Sequence, residues 1–304
     1  MVDSSAKHSE DAVRVQAPAK VNLFIEILGR RPDGYHDILT VMQAISLYDD
    51  VTVTRCDSGI EVTCDSPDAP SGPENIAYQA AESMRGAMGA EGGVRIEIEK
   101  RIPVGRGMGG GSSDAAAVID TMNRLWGEPL GRDRLNEIGA GIGSDVPFFL
   151  HGGSAVCRGR GEIVEPIGSA LEMWLVVLSP SVSVSTRQVY EGGDFNRRSR
   201  ECLTRAESGC HTVAEGLRSG DFIAVNGAVY NGFARAVFDL YPEISYAYNA
   251  FIGQYGAASL TGTGSGFFWL CKNREEGEAL AGRIDGSLGD VYVARALQRG
   301  SMGG

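Results

Sequence analysis

Apolar and polar residues alternate along the N-terminal half of the chain, which is the pattern of half-buried β-strands. In the clearest stretch, four aliphatic residues recur at every second position: Val21, Leu23, Ile25 and Ile27. By the same alternation, Lys20 and Asn22 are expected on the opposite face. Residues 38–54 and 60–64 continue the strand pattern, and the Pro-Asp-Gly sequence at 32–34 predicts a tight turn after the first strand.

The periodicity changes on either side of a glycine-rich segment at residues 105–111. Alternating residues before it predict a further strand: Val94, Ile96 and Ile98. Apolar residues at helical spacing after it predict a helix: Ala115, Ile119, Met122 and Trp126. Asn75 predicts the start of an earlier helix that runs to about residue 88, because its side chain can accept from the free N–H groups of a first turn. This part of the chain is therefore expected to run from strand through glycine loop to helix.

The C-terminal half mixes helices and strands without regular alternation. Helices are predicted at residues 132–140, 185–191, within 232–255 and at 275–283, and strands at 174–178 and 291–294. Residues 267–271 form an apolar run. Pro147 is expected to restrict the conformation of the segment before it. Irregular order of this kind indicates an α+β protein and not a doubly wound sheet. At 304 residues, the chain fits one large domain or two ordinary ones.

Charge and cysteine content narrow the range of partners. With 28 Lys and Arg against 39 Asp and Glu, the net charge is −11, which argues against a nucleic-acid partner. The 6 cysteines form no C-x-x-C pair, so we expect free thiols in a reducing compartment and no zinc site. No apolar run approaches the roughly 20 residues that span a bilayer, and the start is polar, so we expect a cytoplasmic protein without a membrane partner. Residues 1–12 and the glycine-rich end are expected to be disordered.

The glycine-rich segment could bind phosphate or be a simple turn. Gly105, Gly107 and Gly110 satisfy the letters of the dinucleotide-binding pattern, but its strand context is missing, and no Lys-Ser/Thr pair follows as in a Walker A loop. Glycines allow close approach of backbone N–H groups to an anion, and the following helix N-terminus adds positive potential. We therefore favour a phosphate cradle. Ser112 or Ser113 could then ligate Mg²⁺, or either could simply cap the helix.

Asp145 and Lys20 are uninformative when each is considered alone. Asp145 then reads as a turn or cap residue, and Lys20 as a solvated lysine at a strand edge. Phosphoryl transfer requires positioning, charge neutralisation and a group that takes the proton of the acceptor hydroxyl. A carboxylate beside a cation can be that group, because the cation keeps it ionised.

Several segments resemble, in the same order, the motifs of the diphosphocytidyl-methylerythritol kinases, a branch of the GHMP kinases. They are residues 18–23 (PAKVNL), 31–36 (RPDGYH), 103–116 (PVGRGMGGGSSDAA), 143–148 (GSDVPF) and 260–264 (LTGTG). The glycine loop is common to galactokinases, homoserine kinases and mevalonate kinases. The Asp-Gly-Tyr-His sequence at 33–36 is narrower and indicates the branch.

The resemblance implies a two-lobed α+β GHMP-kinase fold with the active site in the cleft between lobes. The ATP-binding lobe would span residues 13–169, and the second lobe residues 170–304. The implied reaction uses ATP and Mg²⁺ to phosphorylate the C2 hydroxyl of 4-(cytidine 5'-diphospho)-2-C-methyl-D-erythritol in non-mevalonate isoprenoid synthesis. A small-molecule substrate and a monomer or homodimer are expected.

The resemblance also implies roles for individual residues. Asp145 would be the general base and Lys20 its electrostatic partner. The nucleotide would be bound by Pro103, Val104, Gly105, Arg106, Gly107, Met108, Gly109, Gly110, Gly111, Ser112, Ser113, Asn75, Gly262 and Gly264. The acceptor would be bound by Asn22, Tyr35, His36, Thr186 and Tyr190. We expect cytosine to lie between Tyr35 and Tyr190, with His36 at the edge of the base.

One segment departs from the family pattern, and two other functions stay open. Arg187 stands where family members commonly have the second proline of a Pro-Thr-Pro sequence, a difference that could alter the loop beside the acceptor. The first alternative is a GHMP kinase for another alcohol, against which the sequence at 33–36 argues. The second is a nucleotide-binding protein without catalysis, against which the retention of Lys20 and Asp145 argues.

Overall fold

A computed structural model of the chain describes residues 12–195, 200–256 and 258–299. The predicted disordered segments, residues 1–12 and the glycine-rich end, lie outside the described residues except for Ala12, which begins the first strand, and Arg299. None of the described helices combines the length and apolar character needed to cross a membrane.

Two β-sheets, with helices packed against them, form the described structure. The larger sheet contains β1 (Ala12–Arg30), β2 (His36–Cys56), β3 (Ile60–Cys64), β4 (Gly93–Glu99), β5 (Ser154–Arg158), β6 (Ile163–Ile167) and β8 (Tyr230–Asn231). The smaller sheet contains β7 (Trp174–Ser179), β9 (Ser259–Leu260), β10 (Phe267–Cys271) and β11 (Asp290–Arg295). The sheets therefore divide between residues 167 and 174, although β8 returns to pair with β1.

One helix follows the glycine loop directly, and the other described helices are distributed over both halves of the chain. Those in the first half are α1 (Ile76–Met88), α2 (Gly110–Leu125), α3 (Arg132–Ile142) and α4 (Val146–His151). Those in the second half are α5 (Thr186–Gly192), α6 (Arg200–Ser219), α7 (Phe222–Ala228), α8 (Ala234–Leu240), α9 (Pro242–Tyr255) and α10 (Arg274–Ala281). The predicted α+β class is confirmed. The helices α4, α6 and α7 and the strands β5, β6, β8, β9 and β10 were not predicted. Pro147 lies in the first turn of α4, where its fixed φ favours helix initiation.

The long first strand does not keep one alternation along its length. Its pairing with β2 shifts register between Asn22 and Phe24, so the faces of the strand exchange there. Val21 and Leu23 pack in a core with α6 and β7, whereas Ile25 and Ile27 pack in another core with β10 and α8. Ile25 also lines the same cavity as Lys20 and Asn22. The predicted single aliphatic face is therefore wrong, because a bulge divides it.

Candidate active site

A cavity of about 1100 Å³ opens beside the glycine loop, where the two sheets meet. The predicted site residues that line it are Lys20, Asn22, Tyr35, His36, Asn75, the loop from Pro103 to Ser112, Asp145, Thr186, Tyr190 and Gly262. Ser113 and Gly264 are not among its lining residues. Segments more than 200 residues apart in the sequence thus contribute to one site.

The loop before α2 and the loop before β10 are in direct contact. A Cβ on Gly107 would lie 2.0 Å from the carbonyl oxygen of Thr261, so only glycine fits this position. Gly107 also has φ of 77°, which side chains disfavour. The hydroxyl of Thr261 donates to the carbonyl oxygen of Gly107 at 3.0 Å. The two glycine loops therefore form one continuous backbone surface along the cavity.

Helix α2 begins at this surface and directs its N-terminus toward the cavity. Its N-cap is Gly109, in the left-handed region at φ 72°, so the prediction that Ser112 or Ser113 could be the cap is wrong. A Cβ on Gly109 would lie 2.9 Å from the Phe149 ring and 3.2 Å from Cε of Lys20. The unpaired N–H groups of the first helical turn supply donors for an anion.

The two serines of this turn differ in position. Ser112 lines the cavity, whereas Ser113 has 0% exposure and lies in the core beneath the helix. The difference follows from the helical period, which turns successive side chains by about 100°. Of the two candidate ligands for Mg²⁺, Ser112 is therefore the one that the cavity can reach.

Asp145 and Lys20 lie together, although 125 positions separate them in the sequence. The ammonium nitrogen of Lys20 lies 3.5 Å from Oδ2 of Asp145, and their side chains are 5% and 27% exposed. Lys20 also donates to Oδ1 of Asn22 at 2.7 Å, and Asn22 donates to the hydroxyl of Thr40 at 2.9 Å. Asp145 makes no side-chain cap to α4, although it occupies the N-cap position. Its carboxylate is therefore held beside a buried cation and is open to the cavity.

A second buried cation lies under the start of α2. Lys100 contacts the carboxylates of Asp49 and Asp114, which are buried with it. Asp49 also accepts from the backbone N–H groups of Arg101 and Ile102. Burial raises the pKa of Asp114 to about 8, although the nearby Lys100 opposes this. Burial would lower the pKa of Lys100, but Asp114 and Asp49 together raise it above its ordinary value.

Aromatic side chains form the other end of the cavity, in an arrangement different from the expected one. The imidazole of His36 stacks on Tyr190, with ring centroids 4.8 Å apart and an interplanar angle of 26°. Tyr190 also meets Phe233 edge to face at 5.0 Å. His36 therefore covers a face of Tyr190 and does not lie at the edge of an open slot between Tyr35 and Tyr190. Burial, with a smaller effect of Arg30, lowers the pKa of His36, so its imidazole is neutral at pH 7.

Other predicted residues line the cavity while making internal hydrogen bonds. Asn75 accepts from the N–H of Ala77 at 2.9 Å as the cap of α1, which confirms the predicted helix start, and donates to the carbonyl oxygen of Pro70 at 2.7 Å. The hydroxyls of Thr186 and Thr263 lie 2.9 Å apart. A Cβ on Gly264 would point toward Leu260 at 3.2 Å, so this glycine faces the core of the second sheet.

Sequence reasoning missed several residues that line the cavity. They are Arg30, Lys100, Arg160, Thr263 and Glu191. Arg160 stands between two glycines, a setting that reads as an exposed turn. Lys100 lies at the end of a strand, where a lysine is ordinarily solvated. Only the positions of Asp49 and Asp114 in three dimensions distinguish this lysine from a surface residue.

The resemblance implies Mg²⁺, and the cavity offers an oxygen ligand for it. Among residues 12–195, 200–256 and 258–299, no group of three or more His, Cys, Asp and Glu side chains could hold a metal. Mg²⁺ commonly uses one or two protein oxygens and completes its shell with phosphates and water. The Ser112 hydroxyl, which lines the cavity, fits that requirement.

Fold, paired glycine loops and the Lys20–Asp145 pair define a kinase of the GHMP class. Two family models match this assignment: GHMP kinases N terminal domain over residues 75–153, and GHMP kinases C terminal over residues 213–289. Curated relatives then specify the branch: the chain belongs to the family of 4-diphosphocytidyl-2-C-methyl-D-erythritol kinases. The resemblance inferred from residues 31–36 is thereby confirmed.

The relatives match over almost their whole length. A 4-diphosphocytidyl-2-C-methyl-D-erythritol kinase from Geobacter metallireducens is 38% identical, and the match covers 94% of this chain and 99% of the relative. One from Desulfitobacterium hafniense is 36% identical over 96% and 98%. A crystal structure of 4-(cytidine 5'-diphospho)-2C-methyl-D-erythritol kinase matches with a TM-score of 0.75 and 33% identity, covering 93% and 98%. A homoserine kinase from Cytophaga hutchinsonii matches with a TM-score of 0.76 at 18% identity over 98% of both chains, which shows the shared fold alone.

Proposed function

We propose that this kinase transfers the γ-phosphoryl group of ATP to the C2 hydroxyl of 4-(cytidine 5'-diphospho)-2-C-methyl-D-erythritol. The observation that carries the proposal is the Lys20–Asp145 pair, 3.5 Å apart, in the same cavity as the glycine loops. The names of relatives at 36–38% identity support the acceptor.

Asp145 acts as the base in this reaction. Its carboxylate takes the proton of the C2 hydroxyl as the hydroxyl oxygen forms a bond to the γ-phosphorus. The bond from that phosphorus to the bridging oxygen breaks, and ADP leaves with the electron pair. Lys20 stabilises the ionised carboxylate before the transfer, and its hydrogen bond to Asn22 fixes its direction. A tertiary alcohol is hindered, so this positioning contributes much of the rate.

The glycine loops and α2 bind the phosphates of ATP. Positive φ at Gly105, Gly107 and Gly109 allows the backbone to approach an anion, and the N-terminus of α2 adds its dipole. The Ser112 hydroxyl would supply an oxygen ligand to Mg²⁺. When bound, Mg²⁺ neutralises charge on the transferred phosphoryl group.

The aromatic end of the cavity suits the cytidine of the acceptor. Tyr190 and His36 present stacked rings there, and bases stack on aromatic faces without needing a fixed sequence of hydrogen bonds. We place cytosine against this stack, and Thr186 beside it. ATP as the phosphoryl donor also favours a cytoplasmic location, where ATP is supplied.

A coupled ADP-release assay across several acceptors tests the proposal. The acceptors are 4-(cytidine 5'-diphospho)-2-C-methyl-D-erythritol, mevalonate, homoserine and galactose. Turnover of the first acceptor alone is expected. Preferred turnover of homoserine or mevalonate would favour another GHMP kinase, an alternative with which the fold match to homoserine kinase is compatible. Nucleotide binding without turnover of any acceptor would favour a non-catalytic protein.

A further inference from the structure

Arg160 lies at the cavity wall in the turn between β5 and β6. Its guanidinium carbon is 4.8 Å from the centre of the Tyr35 ring. A Cβ on the next residue, Gly161, would lie 3.5 Å from Oδ1 of Asp145. The turn that carries Arg160 therefore lies beside both the proposed base and Tyr35.

Several contacts fix the direction of the Arg160 side chain. Its Nη2 donates to the carbonyl oxygen of Ala140 at 3.2 Å, and its Nε lies 3.6 Å from the carboxylate of Glu162. Glu162 also accepts from the backbone N–H of Arg160, at 2.5 Å. Within the described part of the chain, Nη1 has no hydrogen-bond partner. The side chain is 27% exposed, so a guanidinium edge is oriented but still accessible from the cavity.

Three other cations of the cavity wall are engaged by protein groups. Lys20 contacts Asn22 and Asp145, Lys100 contacts Asp49 and Asp114, and Arg106 donates to Ser181 and Ser183. Arg187 is exposed on α5, and Arg30 lies at the end of β1. Arg160 combines three features: an oriented guanidinium, a neighbour in the chain that lies beside Asp145, and contact with Tyr35.

We propose that Arg160 binds the diphosphate of the acceptor and so helps to set its specificity, an inference that rests on the proposed function. In that acceptor the methylerythritol group occupies one end, cytidine the other, and the diphosphate lies between them. The reacting end must reach Asp145, and the base must reach the aromatic end. The Arg160 turn lies beside both Asp145 and Tyr35, and a guanidinium matches two phosphate oxygens with two parallel N–H groups.

Arg160 also has a structural role that the test must separate from binding. It donates to a carbonyl oxygen in the last turn of α3 and packs on Tyr35. Replacing Arg160 could therefore weaken acceptor binding by disturbing these contacts, even if Arg160 does not contact the diphosphate. Comparison of CDP with cytidine separates the two, because the ligands differ only in the two phosphates. A structural defect weakens both ligands, whereas a lost phosphate contact weakens CDP alone.

Calorimetric titration with CDP and with cytidine is the experiment, on the parent protein, Arg160→Met and Arg160→Lys. Methionine keeps the apolar contact with Tyr35. Lysine keeps the positive charge but lacks the two parallel N–H groups of the guanidinium. Arg158→Met, in β5 and exposed outside the cavity, is the matched control for charge removal. Circular dichroism establishes that each variant is folded.

The expected result is a selective loss of CDP affinity. Arg160→Met should weaken CDP binding by about 10- to 100-fold, since hydrogen bonds to charged groups are involved, and should change cytidine binding by less than about threefold. Arg160→Lys should lie between the parent and Arg160→Met, and Arg158→Met should match the parent. In kinetics the acceptor KM should rise while the ATP KM stays constant.

Equal weakening of both ligands, or no weakening of CDP, would overturn the assignment of Arg160. That outcome is distinct from failure of the proposed function. If the parent protein does not phosphorylate the acceptor in the ADP-release assay, the proposed function itself fails. If the parent turns over the acceptor and Arg160→Met binds CDP normally, only the role of Arg160 is refuted.

Discussion

Asn231 joins the two sheets at the edge of the cavity, and its replacement by alanine should both destabilise the protein and weaken nucleotide binding. It belongs to β8, which pairs with β1, yet its amide donates to the carbonyl oxygens of Leu260 and Gly262 at 2.8 Å each. Its Oδ1 accepts from the N–H of Phe233, also at 2.8 Å. The Asn231 side chain thus fixes the backbone of the second glycine loop through hydrogen bonds to Leu260 and Gly262.

The size of the effect follows from what alanine leaves unpaired. The carbonyl oxygen of Leu260 also accepts from the hydroxyl of Ser259 at 3.3 Å, so it keeps one hydrogen bond in the alanine variant. The groups left without their hydrogen bond to Asn231 are therefore mainly the carbonyl oxygen of Gly262 and the N–H of Phe233. Asn231 is 7% exposed, so water replaces these partners poorly. At about 1–3 kcal/mol for each of the two unpaired buried groups, the free energy of unfolding should fall by roughly 2–6 kcal/mol. The Gly262 loop also loses its support, so the ATP KM should rise about tenfold.

Urea denaturation and steady-state kinetics measure the two effects separately. Asn231→Asp keeps the acceptor for Phe233 but turns a carboxylate toward two carbonyl oxygens, so it should destabilise at least as much as alanine. Asn249→Ala, at an exposed position on α9, should change the free energy of unfolding by less than about 0.5 kcal/mol. The reasoning is refuted if Asn231→Ala stays within about 1 kcal/mol of the parent and its ATP KM is unchanged.

Three further predictions concern the catalytic pair, the aromatic end and the buried carboxyl under α2. Asp145→Asn should lower kcat by about 10²–10⁴-fold with ATP affinity nearly intact. Lys20→Ala should fall similarly, and the double variant should be little worse than the worse single one; strictly additive losses would show that the two act independently. Tyr190→Ala should raise the acceptor KM about 10- to 100-fold and Tyr190→Phe should be nearly neutral, because stacking uses the ring; an unchanged KM would remove Tyr190 from the acceptor site. Native Asp114 keeps its proton up to about pH 8, whereas the unfolded carboxyl loses its proton near pH 4. The free energy of unfolding should therefore decrease as pH rises between these values, and Asp114→Asn should remove much of that decrease in urea titrations at pH 5 and 8.5; an unchanged pH dependence would contradict the protonated assignment.

Local features of the structure were predictable from the sequence because short-range physical chemistry determines them. Asn75 caps α1 as predicted, and Gly34 adopts φ of 88° in the predicted turn. The strand before the glycine loop and the helix after it follow directly from their periodicities of two and 3.6 residues. The order of the motifs also identified the family, since each motif is a contiguous segment.

What the sequence did not reveal depends on contacts between distant segments. The bulge between Asn22 and Phe24 arises from pairing with β2, and no residue type in β1 signals it. The stacking of His36 on Tyr190 joins residues 154 positions apart in the sequence. The prediction that His36 lies at the edge of the cytosine base did not include this contact. For Arg160 the sequence shows only a cation in a glycine-rich turn, and its position beside Tyr35 depends on the fold.

The contact between Gly107 and Thr261 couples the motions of the two glycine loops. The Thr261 hydroxyl donates to the carbonyl oxygen of Gly107, and no side chain at position 107 would fit between the two backbones. Neither loop can therefore shift alone without breaking this hydrogen bond. We expect the two loops to move as one unit, or not at all, when a ligand enters or leaves the cavity.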